Sequence, residues 1–441
     1  MKQVTIIIII SIAVLFMFTG IQMNIEAHKE KTAKDAINHI AAEYVKLAFQ
    51  VGRYDKNYVD AYFGPPQLKK EALAEEKTLE DITQSIETLL KKCAVLPEAS
   101  EGDMLRIRRK NLMRMLQSMK SRVDFLSGTG FTFDEESQAL YGAVSPRLPQ
   151  SHYDKLLAKL AKRLPGKGPL TDRVDAYKKQ FTIPRDKLDK VFKTAIAEGR
   201  KRAKERIKLP QNESFILEYV TGKSWGAYNW FKGKGTSLIQ VNVDLPITID
   251  RAVDLACHEG YPGHHVLYSL IEQELYNKKN WLESSIYPLF SPLSLIAEGT
   301  ANFGIEVAFP GTQRIEYEKK ILFPLAGLDA SKAEEYYDVL ELISQLNFAG
   351  NDAARLFLDK KINAEQTVEM LMKYLLMTRK RAEMRLNFIK TYRAYVINYN
   401  LGLRMVKEYI DRLGGTADKP EKRWKLFKQL LSTPVLPADL L

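Results

Sequence analysis

One proline limits what the middle of this chain can become. The segment "DRAVDLACHEGYPGHHVLYSLI" runs from residue 250 to 271 with the apolar spacing of a helix, yet Pro262 and Gly263 fall inside it. An interior proline removes an amide donor and clashes with the carbonyl four residues earlier, here that of His258. Glycine at the next position tolerates backbone angles that other residues avoid. The sequence therefore predicts a helix that breaks or bulges between Glu259 and His264 and then resumes.

That break decides a second question. The stretch "HEGYPGHH", residues 258–265, holds three of the six histidines beside one acid. A His-Glu pair with a second His at i+4 places two imidazoles one helical turn apart, close enough for one metal ion. Position i+4 is Pro262. In an unbroken helix His264 would point roughly 120° away from His258, and His265 would lie about 10 Å along the axis. A bulge that absorbs two extra residues at Tyr261-Pro262-Gly263 moves His264 to the place of the missing ligand. His258 and His264 are the expected imidazole ligands, with His265 in reserve.

A third ligand must come from a later element. "SPLSLIAEGTANFGIEVAF", residues 291–309, reads as a helix with Glu298 and Glu306. Gly299 beside Glu298 would let another backbone come close, so Glu298 is the expected third ligand. Glu306 lies about two turns on and suits an outer or structural role. Asp254, one turn before His258, is the candidate for orienting an imidazole from outside the ligand set. Two His and one Glu suit zinc and leave a position open for water. Glu259 is then placed as general base. An oxyanion needs a further donor, for which Tyr399, Tyr395 and Tyr261 are candidates, the first two from "TYRAYVINYNLG" on a late helix.

These residues resemble a known family. "HEGYPGHH" is similar to the His-Glu-x-x-Pro-Gly-His-His pattern of the DUF885 proteins, bacterial proteins grouped with zincin metallopeptidases, and "AEGTANFG" to their Glu-Gly segment. "DAYFGPP" near residue 60 looks like a further shared feature, and the resemblance spans approximately residues 34 to 430. Longer members read more like Glu-Gly-Trp-Ala in the second segment, whereas Thr300 stands here. The resemblance implies a zincin-like helical fold, zinc and peptidase chemistry, without fixing a substrate.

The rest of the chain sets the frame. Helical periodicity covers 31–210. Between 213 and 246 the texture turns β-branched and aromatic, with strands expected at 215–220, 227–231 and 236–243 in an antiparallel meander. The metal segment occupies 249–309, and helices fill 310–441. The expected class is mainly α, with one small antiparallel sheet just before the metal-binding helix. The edge of "TSLIQVNVDL" is expected to accept an extended peptide by strand addition.

Residues 1–30 carry a lysine and then an apolar run from Val4 to about Ile21, the pattern of a signal peptide or N-terminal membrane anchor. The expectation is therefore an exported protein: periplasmic, extracytoplasmic or membrane-anchored. Net charge is +12, spread over helical stretches without any nucleic-acid motif, so nucleic acid is not an expected partner. Cys93 and Cys257 lie too far apart in sequence to suggest a disulfide framework or a Cys-based metal site. The expected function is zinc-dependent hydrolysis of short peptides. A non-catalytic binder on a decayed peptidase scaffold, or a hydrolase of non-peptide amides or esters, stands as the alternative.

Overall fold

The computed structural model describes residues 31–96, 103–223 and 225–441. The N-terminal apolar segment, and the leader or anchor expected there, lie outside them. Among the described residues no helix is long and apolar enough to cross a membrane.

The chain is mainly helical, as its periodicity dictates. A helix over 31–54 and its successors up to Leu188–Arg206 (α1) form the first part. Capping residues set several boundaries. Thr78 and Thr132 each accept a bond from the amide three residues on, and Asp81 and Glu135 reciprocate. One apolar core runs from Ile37 to Leu440. A smaller one gathers Tyr153, Leu156 and Leu160 of the helix Gln150–Arg163 with Val339 of the helix Ala333–Ser344.

Among the described residues five strands form two sheets. The expected three are present as β2 (Ser214–Val220), β3 (Ala227–Gly233) and β4 (Thr236–Asn242). Two more, β1 (Val59–Tyr62) and β5 (Ile286–Pro288), were not legible in the sequence and pair antiparallel with each other. The three-stranded sheet is not a meander. Its order is β2-β4-β3, with β3 antiparallel to β4 and β2 parallel to it. β4 has the strongest inward alternation, with Ser237, Ile239 and Val241 buried, and it takes the centre. Both edges of β4 are therefore occupied, and the strand addition expected there has no room. The free edges belong to β2 and β3.

The sheet leads into the helices that carry the site. These are α2 (Asp250–Leu255), α3 (His264–Leu270), α4 (Pro292–Ala308) and α5 (Ile397–Arg412). α4 and α5 cross closely, each through a glycine.

Candidate metal centre

The backbone after α2 deforms where the proline requires it. Ala256–Gly260 forms a π-helical turn. The amide of Tyr261 bonds to Ala256 O at 3.0 Å, five residues back, and that of Gly263 to Cys257 O at 2.8 Å, six back. Helical pairing restarts with Leu267 N to Gly263 O at 2.9 Å. The widened turns absorb the two extra residues. Gly263 is required there: a Cβ would sit 1.9 Å from His258 O and 2.4 Å from Cys257 O.

The result brings His264 back beside His258. Their ring centroids are 4.7 Å apart and the rings nearly perpendicular, at 89°. Glu298 on α4 reaches both: its Oε2 lies 3.3 Å from His258 Nε2 and 3.8 Å from His264 Nε2. One ligand atom from each of the three residues falls within 4.8 Å of the others. Glu298 Oε2 is buried and, among the described residues, has no well-aligned hydrogen-bond donor, only the two imidazole nitrogens at ion-pair distance. An orphaned carboxylate oxygen facing two imidazole nitrogens is an arrangement a cation would complete, and the three side chains fit a metal ion.

The surroundings hold these groups in place. His258 Nδ1 meets Asn302 Oδ1 at 3.0 Å, and Asn302 Nδ2 donates to Tyr399 O at 3.0 Å. Tyr395 donates its hydroxyl to Glu298 Oε1 at 2.7 Å. Tyr268 stacks on His264, with centroids 5.9 Å apart and an interplanar angle of 16°. Burial alone would lower His258, but Glu298 and Glu259 outweigh it and lift the imidazole to about 9. Burial holds His264 down to about 4 against the pull of Glu298.

Glu259 follows His258 in the π turn, and its main-chain carbonyl accepts from Asn229 Nδ2 on β3 at 2.7 Å. Burial raises its carboxyl to about 7, opposed by His258 and assisted by Glu298. A carboxylate with that affinity can take a proton near neutral pH and give it back.

Several expected residues stand elsewhere. His265 is fully buried on the far side of α3, with Nδ1 2.8 Å from Ser237 Oγ and Nε2 3.1 Å from Glu213 Oε2. It is not in the ligand cluster, because one residue along a helix turns a side chain by roughly 100°. Tyr261 also turns away and donates its hydroxyl to Glu213. Asp254 orients no imidazole; it pairs with Arg251 and Arg314, both at 2.9 Å. Asn302, one turn after Glu298, makes the contact expected of Asp254. Glu306 is part-exposed and paired with Lys407. Tyr395 is engaged with Glu298 rather than free to donate. Tyr399 lies close enough to Glu298 and Glu259 for their charges to act on its hydroxyl.

The late helix is interrupted. It runs from Arg379 to Tyr392, turns at Arg393 with φ 53°, and continues through a short 3-10 turn into α5. A positive φ at a non-glycine residue costs energy unless its surroundings fix it. Glu136 does so, accepting from Arg393 Nε at 2.7 Å. This turn aims Tyr395 at Glu298, and nothing in the local sequence marks it.

Sequence reasoning also missed Asp60. It lies on β1 within the "DAYFGPP" segment, accepts from the Tyr228 hydroxyl, and has its carboxyl pushed up to about 7 by burial. Glu298 and Glu259 are among the groups with which it interacts.

No family model and no curated protein matches the chain. Among solved structures, a provisionally named lipoprotein from Colwellia psychrerythraea is similar at 13% identity, over 82% of this chain and 68% of that one, with a TM-score of 0.48. A provisionally named lipoprotein of unknown function from Shewanella oneidensis is similar at 14% identity over 82% and 74%, with a TM-score of 0.42. An M32 carboxypeptidase from Deinococcus radiodurans R1 is similar at 13% identity over 94% and 93%, with a TM-score of 0.37. Likenesses this distant carry no chemistry, which rests on the geometry of the site.

Proposed function

We propose that this chain is an exported, zinc-dependent metallopeptidase that hydrolyses short peptides. One observation carries the reading: two imidazoles and a carboxylate converge within 4.8 Å, with a general-base candidate next to the first of them in sequence. The donor set of two nitrogens and one oxygen suits zinc better than the all-oxygen sites of calcium or magnesium. Zinc held by His258, His264 and Glu298 would polarise a carbonyl and acidify water.

The remaining work falls to the protein's own groups. Glu259 takes a proton from the attacking water as the new C–O bond forms. It then delivers that proton to the amine nitrogen as the C–N bond breaks. Asn302 holds the ring of His258 through Nδ1, which presents Nε2 to the cluster. Tyr395 holds Glu298 by its other oxygen. Tyr399 is the proposed donor to the developing oxyanion.

The DUF885-like segments "HEGYPGHH" and "AEGTANFG" agree with this assignment, and the apolar run before residue 30 supports export. Pro262, which would have favoured a decayed scaffold, is accommodated by the widened turn.

The test is metal analysis of purified protein together with turnover of a quenched-peptide library, with and without a chelator. Glu259→Gln should retain zinc and lose activity by a factor on the order of 10² or more. Peptide turnover that survives complete removal of zinc would reject the mechanism.

A further inference from the structure

Among the described residues Arg385 has no carboxylate paired with it. It stands on the helix Arg379–Tyr392, where Arg379 by contrast pairs with Glu365 at 2.5 Å and Glu383 at 3.6 Å. Arg385 Nε is buried and has no hydrogen-bond partner among the described residues. Burial lowers the affinity of its guanidinium for the proton, and Tyr399 acts in the opposite sense.

One part of the guanidinium is accounted for. Its Cζ lies 5.1 Å from the centroid of the Phe388 ring. Stacking uses the face of a planar cation and leaves the N–H groups on its rim free. Phe388 is also 6.2 Å from the Tyr399 ring and 4.6 Å from that of Tyr392. Tyr399 in turn lies 5.8 Å from the ring of Tyr395, whose hydroxyl donates to Glu298 at 2.7 Å. The guanidinium therefore sits on the aromatic wall beside the candidate metal centre, with Tyr399 between. Arg385 is half-buried as a residue, with its Nε sealed from water.

Withdrawing a guanidinium from bulk water without a counter-ion is unfavourable. A wall that supplies no carboxylate leaves the place for one brought from outside. The planar fork of arginine matches a carboxylate with two parallel hydrogen bonds. A peptide carries one such group that every sequence shares, its C-terminus. Asp60, whose charge acts on Tyr392 of the same wall, already accepts from Tyr228.

We propose that Arg385 seats the free C-terminal carboxylate of a short peptide, so that cleavage takes place close to that end. The assignment rests on the peptidase reading above.

The experiment compares tripeptides prepared as free acids and as C-terminal amides. Binding is measured by calorimetry on zinc-loaded Glu259→Gln protein, and turnover on the unmodified protein. Free acids should bind and react on the order of 10- to 100-fold better than their amides, the range expected for losing charged hydrogen bonds. Arg385→Gln should bring that ratio near one, with Arg385→Lys between. Should Arg385→Gln not fold, the unmodified protein and Arg385→Lys decide. Equal binding of the two forms, binding of neither, or a preference that survives Arg385→Gln overturns the assignment. Failure of the peptidase reading looks different: no chelator-sensitive hydrolysis of either form, with the calorimetric ratio still judging Arg385.

Discussion

Gly299 and Gly402 face each other where α4 crosses α5. A Cβ on Gly299 would lie 2.5 Å from Gly402 O, and one on Gly402 would lie 2.7 Å from Leu295 O. The contacts are backbone to backbone, so no side chain can swing aside to relieve them. This crossing sets how far Glu298, beside Gly299, stands from the helix break that carries the two imidazoles.

Gly299→Ala should therefore destabilise the protein by about 1–3 kcal/mol, the usual cost of overpacking a close contact. It should weaken metal binding as well, because α4 must move and Glu298 moves with it. Denaturant unfolding and a chelator competition measure the two effects. A variant with unchanged unfolding and unchanged metal affinity would contradict this account of the crossing.

Adjacent histidines should behave as opposites. His264→Ala is expected to lose bound zinc while folding nearly normally, since it removes a ligand. His265→Ala should retain zinc yet lose about 1–3 kcal/mol of stability, because Glu213 and Ser237 are left with an unmatched buried group. Metal content and thermal unfolding of the two proteins, measured side by side, distinguish them. Zinc lost from both would place His265 in the ligand set after all.

Residues that hold the ligands should tune affinity without abolishing it. Asn302→Ala frees the His258 ring and Tyr395→Phe removes the donor to Glu298. Each is expected to weaken zinc binding about 10- to 100-fold. Competition with a chromogenic chelator reads this directly. Affinity unchanged in both variants would mean the three ligands hold their positions unaided.

Asp60 predicts a pH effect with a definite sign. Burial raises its carboxyl from 3.8 to about 7, so the folded state binds the proton more tightly than the unfolded chain. The associated stability is fully present below pH 3.8 and is lost as pH rises through about 7. Asp60→Asn keeps a neutral group of the same shape and should raise stability above pH 7. The gain is about 1–2 kcal/mol, less than the full shift would carry, because the side chain keeps some contact with water. Below pH 4 the two proteins should unfold alike. A variant less stable than the parent at pH 8 would show that the Tyr228 bond outweighs the cost of the buried charge. Chelated protein serves for both measurements, so bound metal does not enter.

Local sequence carried the helical character, the existence of three strands, the widened turn and the return of His264. Those follow from short-range rules: apolar periodicity, β-branched runs, and the missing amide of Pro262. Rules of this kind left open which strand would be central, and the meander was the wrong choice. β4 became the middle strand because its alternate residues bury most completely, a property of neighbours rather than of spacing.

The sequence by itself determined that the backbone must deform after Glu259, and that His258 and His264 could then share a site with a later acid. The tertiary structure alone decided which distant groups meet them. Asn302 rather than Asp254 holds His258, Glu213 takes His265 and Tyr261 away from the site, and the turn at Arg393 aims Tyr395 at Glu298. The reason is one of range. Steric and amide constraints act within a few residues, whereas the partner of a buried polar group is chosen by the packing of whole helices.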